Sequence, residues 1–293
     1  MLFRSPLLHA ALRARGDAPS LAVTLRTPVD IAAEVPASAP AQVRTAGPGL
    51  PRLVELARSS GDPLVLQWAV AECQREPGHA ACAGFGVRHW LQREPRNAMA
   101  WLWLLASEPG AADEALHGLV GSGGANAHWG ALSALVEQAL PADVPGAVGQ
   151  QLVTEAIGID AATLMPPFNV LIDQCTPPRA AADANRRQQC EAIAQMLVEH
   201  SDTQLVHVIG IRIGQNAGWP AERVAALRAE HKALQDASIR AMQQMYGDLR
   251  LIYTCSSVER WRRSVREQHN DGGELPHARK LLAAERAASA AAR

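Results

Sequence analysis

The stretch Trp90–Ala106, WLQREPRNAMAWLWLLA, contains a helix end, a tight turn and the start of a new helix. Its proline ends the first helix, because proline lacks the N–H that a helix interior needs. Asn97 is a residue type that caps helix N-termini, and Trp101 then begins an apolar stripe with helical spacing. Five of the seven tryptophans lie within Trp68–Trp129, in stretches with the same alternation of predicted helices and tight turns. This pattern predicts an all-α fold of stacked antiparallel helix pairs, arranged as an α-solenoid or as an irregular helical array.

The composition agrees with a helical fold and argues against several functions. Of the 293 residues 48% are hydrophobic, but only two are Tyr and three are Phe, so the aromatic residues that favour strands are scarce. The 28 basic and 29 acidic residues nearly cancel, so no net field attracts nucleic acid or an anionic membrane. No stretch approaches the roughly 20 apolar residues of a transmembrane helix. The N-terminus has no clear signal peptide, because Pro6 and His9 interrupt its apolar run.

Helix boundaries recur through the rest of the chain. Asp62 and Pro63 predict a capped helix start, and Ser201 with Asp202 predicts another. Apolar stripes at helical spacing predict which residues these helices bury. Two stripes in the second half are Leu205, Val208 or Ile209, and Ile213 on one helix, and Val224, Leu227, Leu234 and Met242 on the next.

Three regions of the chain differ in pattern. Residues 1–60 are predicted to be an irregular Pro- and Ala-rich arm or linker, in which the alternation of Leu21, Val23 and Leu25 allows one short strand. Residues 61–270 are predicted to be the helical domain. Residues 271–293 are predicted to be an Ala- and Arg-rich tail, which is prone to form a helix but has little to bury.

The alternation of helices of roughly 12 to 16 residues with tight turns resembles tetratricopeptide-like αα-solenoids of bacterial type. The stretch Arg96–Leu102, RNAMAWL, resembles the start of such a repeat, in which an Asn caps a helix and a Trp fills the space between paired helices. This chain has Leu105 where the family has a small residue, and no strict 34-residue period recurs. The resemblance covers about 50 residues, near 90–140, and it implies a concave surface that binds a protein or peptide.

Cys73 and Cys82 form a candidate disulfide. They are equidistant from the turn at Pro77 and Gly78, so an antiparallel helix hairpin places them side by side. Their Cα atoms then fall within the roughly 4.4–6.8 Å that a disulfide requires. The alternative is two buried thiols that pack as small apolar residues.

Cys175 and Cys190 form a second candidate pair. The connection 176–182 is predicted to be extended, which makes it long enough to run back beside the helix that contains Cys190. Two bridges imply an oxidising compartment such as a bacterial periplasm, or secretion, whereas reduced cysteines imply a cytoplasmic location.

Cys255 has no candidate partner. A buried packing role is favoured for it over a catalytic thiol, because no flanking motif supports catalysis.

Recognisable catalytic motifs are absent from the sequence. It contains no G-x-G-x-x-G, P-loop, G-x-S-x-G or H-E-x-x-H motif, so it predicts no catalytic residue, no cofactor and no metal site. His200 and His207 are seven residues apart, but the predicted helix break at Ser201 separates them. Each is therefore interpreted as a surface or helix-end residue.

Two places are candidates for partner binding. Trp103 lies off the stripe that contains Trp101, so its ring is expected to be exposed and available to a partner. The one local basic cluster consists of Arg260, Arg262 and Arg263. This cluster could contact phosphate while Trp261 stacks on a base. The favoured interpretation is a solvated helix whose Trp261 faces the core.

We expect a non-enzymatic helical scaffold that binds a protein or peptide partner. One alternative is a hydrolase or transferase with a helical active site, and another is nucleic-acid binding through residues 260–266. The absence of a catalytic constellation favours a scaffold over an enzyme. The nearly balanced charge argues against nucleic acid.

Overall fold

The chain, described by a computed structural model, has an all-α fold. The structure describes residues 6–26, 49–140, 148–149, 152, 156, 158–160, 163, 165–246 and 255–291. This part of the chain contains fifteen α-helices and no β-strand. Two single β-bridges join Asn97 to Gly124 and Ala125 to Ser201. The predicted fold class is therefore confirmed.

The helices are numbered here in chain order. They are α1 (Pro6–Arg15), α2 (Ala18–Arg26), α3 (Leu50–Ser60), α4 (Pro63–Arg75), α5 (Val87–Arg93), α6 (Ala98–Ser107), α7 (Ala112–Val120), α8 (Ala131–Ala139), α9 (Asn169–Gln174), α10 (Pro177–Ala182), α11 (Ala184–Glu199), α12 (Gln204–Ala217), α13 (Ala221–Tyr246), α14 (Cys255–Asn270) and α15 (Glu274–Ala291). Short 3₁₀ helices occupy Ala80–Cys82 and Pro109–Ala111. Within the described residues, no helix combines the length and the apolar character that a membrane span requires.

At the starts of α4, α6, α11 and α12, a side chain accepts a hydrogen bond from a free N–H group of the first turn. The Asp62 carboxylate accepts from the N–H groups of Leu64 and Val65, at 3.0 and 3.2 Å, at the start of α4. The Asn97 side chain accepts from the Met99 N–H at 3.1 Å at the start of α6. Such caps typically contribute about 1 kcal/mol each. The starts predicted from Asp62 and Asn97 are confirmed.

The chain separates into two compact units. Unit 1 consists of Met1–Glu94, Gly130–Met165 and Tyr253–Val265, and unit 2 consists of Pro95–Trp129, Pro166–Ile252 and Arg266–Arg293. In unit 1, each helix from α1 to α4 contacts the next one along the chain, and α8 contacts α1 and α2. Core residues of unit 1 that are at most 2% exposed include Leu8, Leu12, Val23, Leu53 and Trp68.

In unit 2, helices contact both their neighbours in the chain and helices that are distant in sequence. Helix α6 contacts α7 and α9, α11 contacts α7, α10 and α12, and α12 contacts α13 and α15. Glycines permit two of these close approaches. A Cβ on Gly118 of α7 would overlap the Trp101 ring of α6, and Gly210 of α12 lies against Leu197 of α11. Helices α13 and α15 pack on a buried cluster that comprises Leu234, Ala237, Leu275, Ala278 and Leu282.

The N-terminal region differs from the prediction of an irregular arm. Residues 1–5 and 27–48 lie outside the described part, but the described residues of 1–60 form α1, α2 and α3. In these described residues the predicted irregular structure and the short strand at Leu21, Val23 and Leu25 are therefore wrong, whereas the prediction for residues 27–48 lies outside the described residues. Val23 is fully buried, because α2 packs against α3 and α8, and these contacts cannot be read from the local pattern.

The C-terminal region differs from the prediction of a tail with little to bury. Helix α15 occupies most of residues 271–293, and Leu275 and Ala278 are fully buried. The segment therefore supplies part of the core of unit 2. The division of the chain at residues 60 and 270 stays a prediction.

Candidate functional site

Both predicted cysteine pairs lie at disulfide distance. The Cα atoms of Cys73 and Cys82 are 5.7 Å apart, and those of Cys175 and Cys190 are also 5.7 Å apart. The first pair joins α4 to the 3₁₀ helix that follows it in unit 1, across the turn from which the pairing was predicted. The second pair joins the residue after α9 to α11 in unit 2. Both predicted pairings are confirmed.

The chain between Cys175 and Cys190 is not extended as the sequence analysis expected, because the short helix α10 forms within it. This helix starts at Pro177, whose missing N–H is not needed in a first helical turn. Thr176 before it and Asp183 after it have extended backbones. Helix α10 contacts α11, so the chain still returns to bring the two cysteines together.

Trp103 is not available to a partner, because only 3% of it is exposed. The sequence predicts exposure, since Trp103 lies off the stripe that contains Trp101. Helix α6, however, contacts both α7 and α9, and seven of its ten residues are buried. The expected exposure of Trp103 is therefore wrong, and this residue belongs to the core of unit 2.

The basic cluster on α14 is divided between solvent and the protein interior. Arg260 and Arg263 are exposed, whereas Trp261 is 8% exposed. Arg262 Nε lies 3.1 Å from Oε1 of Glu137, whose side chain is 2% exposed. One arginine of the cluster thus neutralises a buried carboxylate of unit 1. The Trp261 ring faces the core, as the favoured interpretation predicts. It is therefore not available to stack on a nucleic-acid base.

Most of the exposed large apolar side chains lie on two neighbouring helices of unit 2. Among the described residues, these side chains are Val120, Val148, Leu205, Val208, Ile239 and Met242. Leu205 and Val208 belong to α12 and are 48% and 36% exposed, and Ile239 and Met242 belong to α13 and are 48% and 49% exposed. A contiguous group of exposed apolar side chains is typical of a protein-binding face.

Helices α12 and α13 run in opposite directions beside each other. Gln204 Nε2 donates to Ser238 Oγ at 3.2 Å, and Arg228 Nη2 donates to Gln215 Oε1 at 2.8 Å. The start of α12 therefore lies beside the second half of α13. On each helix one row of exposed residues recurs every three or four positions, and the two rows meet where Arg228 donates to Gln215. We call these two rows the α12–α13 surface. It consists of Leu205, Val208, Arg212, Gln215, Arg228, Lys232, Gln235, Ile239 and Met242.

The sequence assigns Leu205 and Met242 to the buried stripes of their helices, and this assignment is wrong. The stripe that α12 buries begins one residue later and comprises Val206, Gly210, Ile213 and Ala217. It is buried because α11 and α13 both cover α12. Hydrophobic periodicity alone cannot distinguish which of two adjacent stripes a neighbouring helix will cover.

A pair of imidazoles lies between α12 and α13. His207 Nδ1 is 3.2 Å from His231 Nδ1, and the two rings are stacked. Burial, together with His231 and Arg279, lowers the pKa of His207 to about 4, and burial also lowers the pKa of His231. Both rings are therefore neutral at pH 7, so one Nδ1–H donates to the other Nδ1. The interpretation of His207 as a surface residue is wrong, because His231, 24 residues further along the chain, packs against it.

Asp202 is a second buried titratable group beside the start of α12. Burial raises the pKa of its carboxyl to about 6, although backbone N–H groups of Ala127 and Trp129 and the charge of His128 act in the other direction. Its Oδ1 atom has no hydrogen-bond partner among the described residues. His128 has a φ of 51°, which residues other than glycine rarely adopt.

In the described part of the chain, no three or more His, Cys, Asp or Glu side chains are grouped as metal ligands, here or elsewhere.

Unit 1 contains a further buried polar cluster. The Arg26 side chain is 4% exposed, and its Nη2 lies 3.3 Å from Glu72 Oε1. Burial raises the pKa of Asp160, which accepts hydrogen bonds from the N–H and the hydroxyl of Ser133 at 2.9 and 2.5 Å. A serine nucleophile is activated by a base such as histidine, whereas the Ser133 hydroxyl donates to a carboxylate. This cluster is therefore interpreted as a hydrogen-bonded part of the core.

Two grooves lie on the described part of the chain, one in each unit. The groove in unit 2 has a volume of about 830 Å³, and its charged lining residues, Arg187 and Glu191, lie 3.9 Å apart. The groove in unit 1 has a volume of about 540 Å³, and neither groove is lined by a Cys or a His. Cys255, the candidate catalytic thiol, is the first residue of α14, but its side chain lies outside the described residues. Its packing role stays a prediction.

The fold and the site define an all-α protein with two cysteine pairs at disulfide distance and an exposed two-helix face. No protein-family model matches the chain, and no curated protein and no solved structure is significantly similar to it. Its function is therefore inferred from its own sequence and structure.

Proposed function

We propose that this protein is a non-enzymatic helical scaffold with tetratricopeptide-like packing, which binds a protein or peptide partner through the α12–α13 surface. The observation that carries the proposal is the exposure of Leu205, Val208, Ile239 and Met242 on two adjacent helices. Single exposed apolar residues are ordinary, but a group of four that share one face is not. Burial of such a group against a partner contributes roughly 25 cal/mol for each Å² of apolar area removed from water.

The α12–α13 surface lies on helices that are held firmly in place. The Thr203 hydroxyl caps α12 by accepting from the Val206 N–H at 3.2 Å. The Glu274 carboxylate accepts from the Gln204 N–H at 3.0 Å, so a side chain of α15 also fixes the first turn of α12. Because the surface is ordered before a partner arrives, binding loses little conformational entropy on this side. This arrangement favours a scaffold that recognises a partner without rearranging.

We also infer that the protein acts in an oxidising compartment such as a bacterial periplasm. The support is that four cysteines form two pairs at disulfide distance, whereas cytosolic thiols are kept reduced. Mass spectrometry of protein from the native host, alkylated with and without reductant, tests the inference. Two bridges are the expected result, and four freely alkylated thiols at these positions contradict it.

A comparison of surface variants tests the proposed function. The test variant combines Leu205→Asp with Ile239→Asp, and the matched control is Val120→Asp, because Val120 is 40% exposed and lies outside the α12–α13 surface. Tagged wild type and Val120→Asp should capture the same partner from a host extract, and the double variant should lose it. Equal thermal unfolding of the three proteins shows that the fold is kept. Retention of the partner by the folded double variant contradicts the proposal.

A further inference from the structure

We infer that the partner of the α12–α13 surface is an acidic amphipathic segment. Its apolar side chains contact the apolar end of the surface, Leu205, Val208, Ile239 and Met242, and its carboxylates contact the basic end, Arg212 and Arg228. The inference rests on the proposed function, because it names the partner of the same surface.

The basic end carries charge that no carboxylate in the described part of the chain neutralises. Arg212 Nη1 and Arg228 Nη2 both donate to Gln215 Oε1, at 3.5 and 2.8 Å. Gln215 is neutral, and among the described residues neither arginine pairs with a carboxylate. A guanidinium has five N–H donors in a fixed fork, so most donors of both arginines remain available. They suit a carboxylate, which a guanidinium binds through two parallel hydrogen bonds.

Lys232 separates the two ends of the surface and does not add to the unmatched charge. Its Nζ lies 2.9 Å from Asp236 Oδ2 on the same helix. The unmatched positive charge is therefore confined to Arg212 and Arg228. Because α12 and α13 run in opposite directions, both arginines lie toward the end of the surface that is remote from Leu205 and Met242.

The length of the surface sets the length of the segment. Arg228 and Met242 are 14 positions apart in sequence, which is roughly 21 Å along a helix at 1.5 Å per residue. A helical segment of about 14 residues spans this distance. Its apolar residues must recur every three or four positions at one end, and its acidic residues must lie at the other.

A second copy of this chain fits the surface poorly. Two copies related by a two-fold axis bring the same surface to each other. The arginines of one copy then face either the arginines or the apolar side chains of the other, because no residue of the α12–α13 surface is an Asp or a Glu, and Asp236 beside it is paired with Lys232. Both arrangements desolvate charge without neutralising it. The partner must therefore supply the acidic groups.

Selection from a displayed library of random 16-residue peptides tests the inference on the full-length oxidised protein. The library is panned against wild type, the Arg212→Gln/Arg228→Gln variant, the Leu205→Asp/Ile239→Asp variant and the Val120→Asp control. Peptides selected by wild type and by Val120→Asp should combine a helical apolar pattern with Asp and Glu at one end. A synthetic selected peptide should bind the arginine variant about 3- to 10-fold more weakly, since two exposed ion pairs are lost. A version with every Glu and Asp replaced by Gln and Asn should bind wild type and the arginine variant equally.

The outcomes separate the inference from the proposed function. Selected peptides that have no acidic preference but need Leu205 and Ile239 overturn the acidic partner and leave the scaffold function standing. An acidic preference that survives in the arginine variant also overturns the inference. If no peptide binds in a way that depends on Leu205 and Ile239, both the inference and the proposed binding surface are contradicted.

Discussion

His207 Nδ1 and His231 Nδ1 face each other at 3.2 Å between α12 and α13. Two protonated imidazoles cannot keep this contact, because both Nδ1 atoms would then be donors. The contact therefore needs at least one neutral ring, and burial already lowers the pKa of His207 to about 4. The packing of α12 on α13, and with it the α12–α13 surface, consequently depends on pH in the acidic range.

We expect acidification to destabilise the protein through His207. The pKa of this imidazole is about 6.5 in the unfolded chain and about 4 in the folded one. The stabilising contribution is therefore complete above about pH 6.5 and is lost as the pH falls toward 4. His207→Gln should reduce the loss of unfolding free energy between about pH 7.5 and about pH 4.5 by about 2 kcal/mol. Urea unfolding at the two pH values measures this difference.

His200→Gln is the matched control for this measurement, because the His200 side chain is 60% exposed. The pH dependence of its unfolding free energy should equal that of wild type. If His207→Gln also keeps the full dependence, the imidazole pair does not govern acid stability.

Asp202 should have the opposite pH dependence. Burial raises its pKa from 3.8 to about 6, so the folded protein carries the cost of a buried carboxylate above pH 6, and this cost disappears as the pH falls below 3.8. Asp202→Asn keeps an acceptor oxygen but cannot ionise. We expect it to raise the unfolding free energy by about 2 kcal/mol near pH 8 and to change it little near pH 3.5. Asp113→Asn, at a side chain that is 92% exposed, serves as the control, and a destabilised Asp202→Asn at pH 8 contradicts the prediction.

The features that could be predicted from the sequence are those that depend on neighbouring residues. Asp62 and Asn97 cap helices because their side chains bond to N–H groups two or three positions ahead. The pairing of Cys73 with Cys82 could be predicted because a short turn fixes both positions. Cap type and turn position are local properties, so no knowledge of the tertiary fold was needed.

The features that the sequence could not predict depend on which helix covers which face. Leu205 and Trp103 both lie in apolar stretches, yet the first is 48% exposed and the second is 3% exposed. The difference is that α6 lies between α7 and α9, whereas Leu205 lies in the exposed row of α12, beside the row that α12 buries. The same holds for His207, because its contact with His231 depends on the packing of α13 against α12.

The two cysteine pairs should differ in their resistance to reduction. Cys175 and Cys190 are fully buried, whereas Cys82 is only partly buried. Thiol–disulfide exchange requires access of the attacking thiolate to a sulfur atom. Dithiothreitol under native conditions should therefore open Cys73–Cys82 first, and Cys175–Cys190 should open only when the protein unfolds. Differential alkylation followed by peptide mass spectrometry measures the order, with reduction in denaturant as the control in which both open. Earlier opening of Cys175–Cys190 contradicts the prediction.

Arg262 and Arg263, two arginines of the α14 cluster, should contribute unequally to stability. Arg262 lies 3.1 Å from Glu137, whose side chain is 2% exposed, so Arg262→Ala removes the guanidinium from a buried carboxylate. We expect a loss of about 2–3 kcal/mol in unfolding free energy. Arg263→Ala, at an exposed residue of the same helix, should change it by at most about 0.5 kcal/mol. Adding Glu137→Gln to Arg262→Ala should recover part of the loss, because the buried charge is then absent. Equal effects of Arg262→Ala and Arg263→Ala in denaturant unfolding would mean that the ion pair does not stabilise unit 1, and Arg262 would again be a candidate for binding phosphate.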